Sequence, residues 1–178
     1  MRACLPFLVS LAVCAPAGAQ LAFVTNQGTD TVSVMDLQTH QSLIEIPVGK
    51  DPAGVAIERS GARVFITTPS AHGLSVIDVA SRKQTQQIDL GGEVLGIARD
   101  PVRDRVYVTE WYGQRLVALD TRTLEIVHEV ATGEVPAGVA VSPDGSWLIL
   151  AQRDVNTIAL HALPGLERLA TLTVGKAP

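Results

Sequence analysis

"VYVTEWYGQRLVALD", residues 106–120, reads as two short strands around a polar turn, and it is the third telling of one phrase. Forty-two residues upstream stands "VFITTPSAHGLSVID" (64–78), and forty-two before that "AFVTNQGTDTVSVMD" (22–36). The register runs through the chain without an insertion. Gly49, Gly91, Gly133 and Gly175 keep the same step, as do Asp36, Asp78 and Asp120, and Gly54, Gly96 and Gly138. So do Ala56, Ala98 and Ala140, and the hydroxyl residues Thr39, Ser81 and Thr123. Five columns in phase make an internal repeat, which has to be settled before local structure is read.

Four kinds of strand can be read within the period: "AGVAVS" (137–142), "RVYVTE" (105–110), "RLVALD" (115–120) and "LEIVHEV" (124–130). β-Branched and aromatic residues dominate them, and turn residues bound each run. No sustained helical period appears. A period of about 40–45 residues holding four strands is the blade of a β-propeller. The expected fold is therefore all-β, with residues 21–52 a partial first blade and 53–94, 95–136 and 137–178 three full ones. About four blades form an incomplete or open ring.

Composition assigns each strand its place. The run with Gly54 and Ala56 (and its copies) is small enough to lie where sheets converge on the axis, so it is the innermost. "LSVID" and "RLVALD" are apolar on both faces, as strands packed between two neighbours should be. "RKQTQQIDL" (82–90) is polar and suits an outer edge, where charges and amides deter edge-to-edge pairing. Ser142-Pro143-Asp144-Gly145 is a hairpin turn. Asp36, Asp78 and Asp120 each precede a hydroxyl residue by three, the layout of an Asx-type turn. In the fourth copy Ala162 takes that place, and Pro164-Gly165 supplies the turn.

Residues 1–19 have the layout of a secretory signal peptide. Arg2 is a short positive region, Leu5 to Val13 a short apolar one, and Ala17-Gly18-Ala19 a small-residue cleavage site before Gln20. A lipoprotein anchor at Cys14 is the rival reading. Export places the protein in the periplasm or outside the cell. Cys4 and Cys14 both fall in the leader, so the mature chain has no thiol for a disulfide, a metal or a haem. Losing Arg2 takes the formal charge from −4 to −5, which argues against a grip on nucleic-acid phosphates. Nothing after residue 20 is long and apolar enough to span a membrane as a helix.

"AFVTN", "VFITT" and "VYVTE", followed by "TVSVMD", "LSVID" and "LVALD", with "PVGKDPAGVAI" and "ATGEVPAGVAVSPDG", resemble the YVTN-type β-propeller repeat family. The likeness covers residues 21–178. It implies an exported bacterial or archaeal propeller, often of seven blades, found at the cell surface or in the periplasm. Relatives by fold include lactonase-like propellers and propeller subunits of quinoprotein amine dehydrogenases. The mature part, about 159 residues, is shorter than such a ring. It is expected to be a truncated ring, or an arc that closes by self-association.

Candidate site residues lie in the turns between second and third strands and in the loops entering each inner strand, which share one rim. The turns hold Asp30, His72, Glu110, Trp111, Tyr112, Arg115, Arg153 and Asp154; the loops hold Lys50, Asp51, Glu93, Glu134 and Lys176. They vary while the framework repeats, as recognition loops on a scaffold do. Trp111-Tyr112 is the sharpest element, an aromatic pair that can act as a stacking platform. The four histidines, His40, His72, His128 and His161, show no metal-ligand spacing, and His161 falls in a core column with its ring nitrogens expected to be hydrogen-bonded. The repeated aspartates are accounted for by their turns. No phosphate loop, nucleophile elbow or dinucleotide fingerprint is present. The reading is a non-catalytic scaffold binding a protein or small ligand at its rim, without cofactor or metal. The alternative is a lactonase-like hydrolase or a propeller accessory of a quinoprotein or haem redox system.

Overall fold

The structure, a computed structural model, describes residues 20–178. Residues 1–19, the expected leader with Cys4 and Cys14, lie outside the described residues. Among the described residues fifteen strands form four antiparallel sheets. Blade 1 is three-stranded: β1 (Leu21–Asn26), β2 (Thr31–Asp36) and β3 (Gln41–Pro47). Blade 2 is β4 (Val55–Ile57), β5 (Arg63–Thr68), β6 (Gly73–Asp78) and β7 (Lys83–Asp89). Blade 3 is β8 (Val94–Arg99), β9 (Arg105–Glu110), β10 (Arg115–Asp120) and β11 (Ile126–Ala131). Blade 4 is β12 (Pro136–Val141), β13 (Trp147–Gln152), β14 (Thr157–Ala162) and β15 (Glu167–Thr173). Each is an up-and-down meander, the form a propeller blade takes. Two single 3₁₀ turns, Gln27–Thr29 and Pro69–Ala71, are the helical elements among the described residues.

The glycine-alanine strand is innermost, as its composition requires. A Cβ on Gly54 would stand 2.8 Å from the Leu95 carbonyl oxygen, and one on Gly96 2.1 Å from that of Ala137. Both carbonyls belong to the next inner segment, so only glycine lets the backbones approach. A threonine on the second strand then joins the blades. Thr67 Oγ1 accepts from Gly54 N–H (2.6 Å) and donates to Leu95 O (2.8 Å). Thr109 Oγ1 accepts from Gly96 N–H (2.8 Å) and donates to Ala137 O (3.0 Å). Thr25 Oγ1 makes the corresponding bond to Ala53 O at 2.9 Å. The fourth member of this column is Ala151, which has no hydroxyl.

Three apolar cores lie between blades. Phe23, Val32 and Val34 of blade 1 meet Val64, Ile66 and Ile77 of blade 2. Phe65, Leu74 and Val76 meet Val106, Val108 and Leu119, and Tyr107, Leu116 and Ala118 meet Leu148, Leu150 and Ala159. Alternate residues of one strand thus serve opposite neighbours, because strand side chains alternate faces. The outer strands β3, β7, β11 and β15 are largely exposed. Each pairs with its third strand through a register shift at the same column: Val34/Met35, Val76/Ile77, Ala118/Leu119 and Leu160/His161. A bulge there steepens the blade's twist.

The repeated aspartates close their turns. Asp36 Oδ1 accepts from the N–H of Gln38 (2.8 Å) and Thr39 (3.0 Å), and Asp120 Oδ1 from Arg122 (2.8 Å) and Thr123 (3.0 Å). Asp78 takes both the N–H and the hydroxyl of Ser81, at 2.7 and 2.6 Å. These donors hold all three carboxyls below the usual carboxylate range. His161 is buried, and its Nδ1–H donates to Leu166 O at 2.9 Å. Its Nε2 is buried without a partner, so only one of the two expected bonds is made.

Candidate functional site

The upper rim carries the turns between second and third strands and the loops entering the inner strands; the hairpins entering the second strands lie opposite. Upper-rim backbone is fixed by a column no composition rule announces. Asp30, His72, Gln114 and Asn156 all have left-handed backbone, φ 52–55°, a region where Asn, Asp and His are enriched. The carbonyls of Asp30, His72, Gln114 and Asn156 accept from the N–H groups of Val48, Leu90, Thr132 and Val174 at 2.7–3.0 Å. Asp30 Oδ1 also accepts from Asp51 N–H, and Asn156 Oδ1 from Ala177 N–H, both at 2.9 Å. Asp30 and His72 therefore shape the loop backbone, and the His72 ring stands exposed above it.

Glu110 and Arg115 come together across the third blade's turn. Arg115 Nε donates to Glu110 Oε2, its Nη1 to Glu129 Oε2 at 2.8 Å, and its Nη2 to Leu90 O of blade 2. The guanidinium thus ties blade 3 to blade 2, and its pairing with Glu110 raises its already high pKa. Glu110 is buried, with its carboxylate against Gly92 and Gly113. A Cβ would come within 1.6 Å of Glu110 Oε1 at Gly92 and 2.2 Å at Gly113. Glycine at both places makes room for the carboxylate.

Trp111 and Tyr112 follow directly. Their rings stack with centroids 5.7 Å apart and planes 13° apart. Tyr112 is 69% exposed, whereas Trp111 is half-buried with its indole Nε1 buried and unpartnered. Trp111 N–H donates to Glu93 O at 2.8 Å, which places the pair beside the loop entering β8. Arg153 and Asp154 are exposed and pair with each other at 3.3 Å. The eight candidates thus fall into two close pairs and a stacked aromatic pair, with Asp30 and His72 at separate turns. Among the described residues no three His, Cys, Asp or Glu side chains gather as a metal-binding group.

Clefts away from the upper rim include two near the inner strands and lower hairpins. One of about 560 Å³ runs along the inner strands, lined by Val55, Ile57, Glu58, Ile97 and Arg99. The other, about 390 Å³, is on the lower rim between blades 2 and 3, with Arg59, Arg63, Asp104 and Arg122 on its walls. There Arg59 pairs with Asp104 at 3.2 Å and Arg63 with Glu58 at 2.8 Å. Arg63 also donates to Thr121 O, and Arg105 to Pro164 O at 3.4 Å, each reaching the following blade. Sequence reasoning missed this lower network. Its signal was the arginine shared by Arg63 and Arg105 at the start of the second strand.

Radial four-stranded sheets, an inner ring of glycine segments and shared interblade cores define an open β-propeller arc. A family model for YNCE-like beta-propellers matches residues 11–101, and the chain belongs to that family. No curated protein sequence matches the chain. Among solved structures it is similar to a chain of Kuenenia stuttgartiensis hydrazine synthase, with a TM-score of 0.82 and 22% identity. The match covers 86% of this chain and 46% of that one, so this chain spans about half the length of that relative. At this identity the likeness concerns the fold. No helix among the described residues is long and apolar enough to cross a membrane.

Proposed function

We propose that this is an exported propeller-repeat protein that works as a non-catalytic binding module, offering its upper rim to a protein or small-molecule partner. The observation that carries the reading is the Trp111–Tyr112 stack. An aromatic platform held on a turn, with one ring 69% exposed, presents a rigid apolar surface at small entropic cost. Glu110, Arg115 and the two glycines hold that turn from below. Arg153, Asp154 and His72 supply charge and hydrogen bonding elsewhere on the rim.

The test replaces Trp111 and Tyr112 together by alanine and compares capture of partners from periplasmic extract. Capture by the variant is expected to fall at least about ten-fold, with strand content unchanged by circular dichroism. Equal capture by a folded variant removes the pair from the site. A second reading, the propeller part of a redox enzyme, takes its support from the fold shared with the hydrazine synthase chain. Stoichiometric metal or a haem spectrum in the purified protein would favour it.

A further inference from the structure

Three positions that break the repeat meet in the lower-rim cleft between blades 2 and 3. Arg59 stands where the next two copies have Pro101 and Pro143. Arg122 stands where the others have Gln38, Ala80 and Pro164, and Asp104 where they have Ala62 and Ser146. Arg59 belongs to the hairpin entering β5, Asp104 to the one entering β9, and Arg122 to the aspartate turn after β10. Only the fold gathers them on one seam, and both blades beside that seam are four-stranded. Residues that vary on a repeated framework mark recognition, because the shared columns already supply the stability.

The three arginines lining the cleft are unequally used. Arg63 is committed: it donates to Glu58 Oε2 at 2.8 Å and to Thr121 O, and its guanidinium carbon lies 5.7 Å from the Phe65 ring centroid. Glu58 is buried and also accepts from the Ser60 hydroxyl at 2.7 Å. Arg59 makes one contact, from Nε–H to Asp104 Oδ1 at 3.2 Å, and its side chain is 55% exposed. An exposed pair of that kind is weak. It leaves both terminal nitrogens of Arg59 without a partner among the described residues. The Arg122 guanidinium has no hydrogen bond or ion pair among the described residues; its backbone N–H alone is used, by Asp120. Two guanidinium groups therefore line one cleft with donors to spare.

Charge selects the ligand. Three guanidiniums against the carboxylates of Glu58 and Asp104 give the lining a net charge of +1, in a chain whose formal charge is −4. A guanidinium fork fits either a carboxylate or a phosphate. A phosphate group carries about −1.5 to −2 at neutral pH and would bring surplus negative charge beside Asp104. A carboxylate balances the lining, and Glu58 on Arg63 already shows that pairing within the cleft. We propose that this lower-rim cleft binds a carboxylate group, held by Arg59 and Arg122, with Arg63 fixing the wall behind them. The group can belong to a small acid or to the C-terminus of a partner chain, and about 390 Å³ has room for either. The site is on the rim opposite the Trp111–Tyr112 pair and is independent of it.

Titrating the full chain with sodium acetate, and with a short N-acetylated alanine peptide, tests this at constant ionic strength. Arginine Nε–Hε resonances are the readout, and saturable shifts at Arg59 and Arg122 are expected with both probes. Tighter binding of the peptide than of acetate assigns the group to a chain end; equal affinity assigns it to a free acid. Arg122→Gln should weaken binding at least about ten-fold, the loss of one charge-assisted pair. Arg59→Gln is the second variant, and both side chains are exposed, so circular dichroism should show the strands unchanged. Asp104→Asn removes the competing carboxylate and should tighten binding about three-fold, a gain that a merely structural role would not give. Capture of partners by the upper rim should be the same in all three variants, so either reading can fail alone. No saturable shift with either probe overturns the proposal, as does binding that both arginine variants leave unchanged. An amidated peptide that binds as well as the free one, or inorganic phosphate that binds more tightly than acetate, overturns the choice of a carboxylate.

Discussion

Blades 3 and 4 share a strand plan, a period and most of their turn chemistry, yet they do different physical work. Blade 3 is packed on both sides, and its Tyr107, Leu116 and Ala118 have the same full burial as Val106, Val108 and Leu119 on the other face. Blade 4 is packed on one side only. Leu148, Leu150 and Ala159 are buried against blade 3, while Ile149, Leu172 and Trp147 face outward. The strand sequence alone does not separate these cases, because Ile149 and Leu150 are equally apolar. The neighbour decides what each is worth.

That contrast can be broken most forcefully at the aromatic column. Tyr107→Ala should cost about 3–5 kcal/mol, the range for emptying a large buried site, whereas Ile149→Ala in dilute protein should cost about 1 kcal/mol or less. Urea denaturation of the two variants measures the difference, and equal costs would mean that blade 4 is covered as well as blade 3. Inner-strand glycines sharpen the same contrast with a smaller effect. Gly96→Ala pushes a methyl to 2.1 Å from Ala137 O and should cost about 1–3 kcal/mol. At Gly138 the nearest atom to such a methyl is Ala151 Cβ at 4.0 Å, so Gly138→Ala should stay within about 0.5 kcal/mol of wild type. Thermal melts of the pair report this directly.

The smallest effect concerns acid. Asp100 is fully buried, and burial pushes its carboxyl up. The N–H groups of Val102 and Arg103, the Arg103 guanidinium and the Tyr107 hydroxyl outweigh that and hold it below the usual value of 3.8. Burial and the Asp100 charge in turn push Tyr107 up to about 12, so its hydroxyl stays a donor. A lowered carboxyl contributes stability that is present above the unfolded value and lost as pH falls through the folded one. Tyr107→Phe, which keeps the shape used by Phe23 and Phe65, should therefore cost about 1 kcal/mol at pH 7. The gap to wild type should narrow below pH 4. Blade 4 has Ser142 and Ile149 in these columns and no such pair. A gap independent of pH would show that the hydroxyl does not lean on the carboxylate.

Much of this architecture was legible in the sequence because it repeats. Strand order, the inner place of Gly54 and Gly96, the polar outer strands and the aspartate turns all follow from composition in register. The threonines at 25, 67 and 109 stood in plain view inside "FVTN", "FITT" and "YVTE". Their role was not readable, since the acceptor sits 28 residues on, in another blade, and only ring geometry brings it near. Glu110 and Arg115 were picked out as rim candidates one by one. Their union with Glu129 and Leu90 needed the fold. Trp111 and Tyr112 were adjacent in the sequence, but adjacency does not fix ring planes, and the stack appears only in three dimensions.

The threonine bridge has a consequence for how such a chain changes over generations. Blades 2 and 3 each bring a hydroxyl on one side and an inner-segment carbonyl on the other, so a copy of either period spliced in at a blade boundary arrives with fittings for both neighbours. Recombination between copies can therefore lengthen or shorten the array in whole units while preserving every seam. A half-unit event would leave a hydroxyl facing no carbonyl and a glycine facing no backbone.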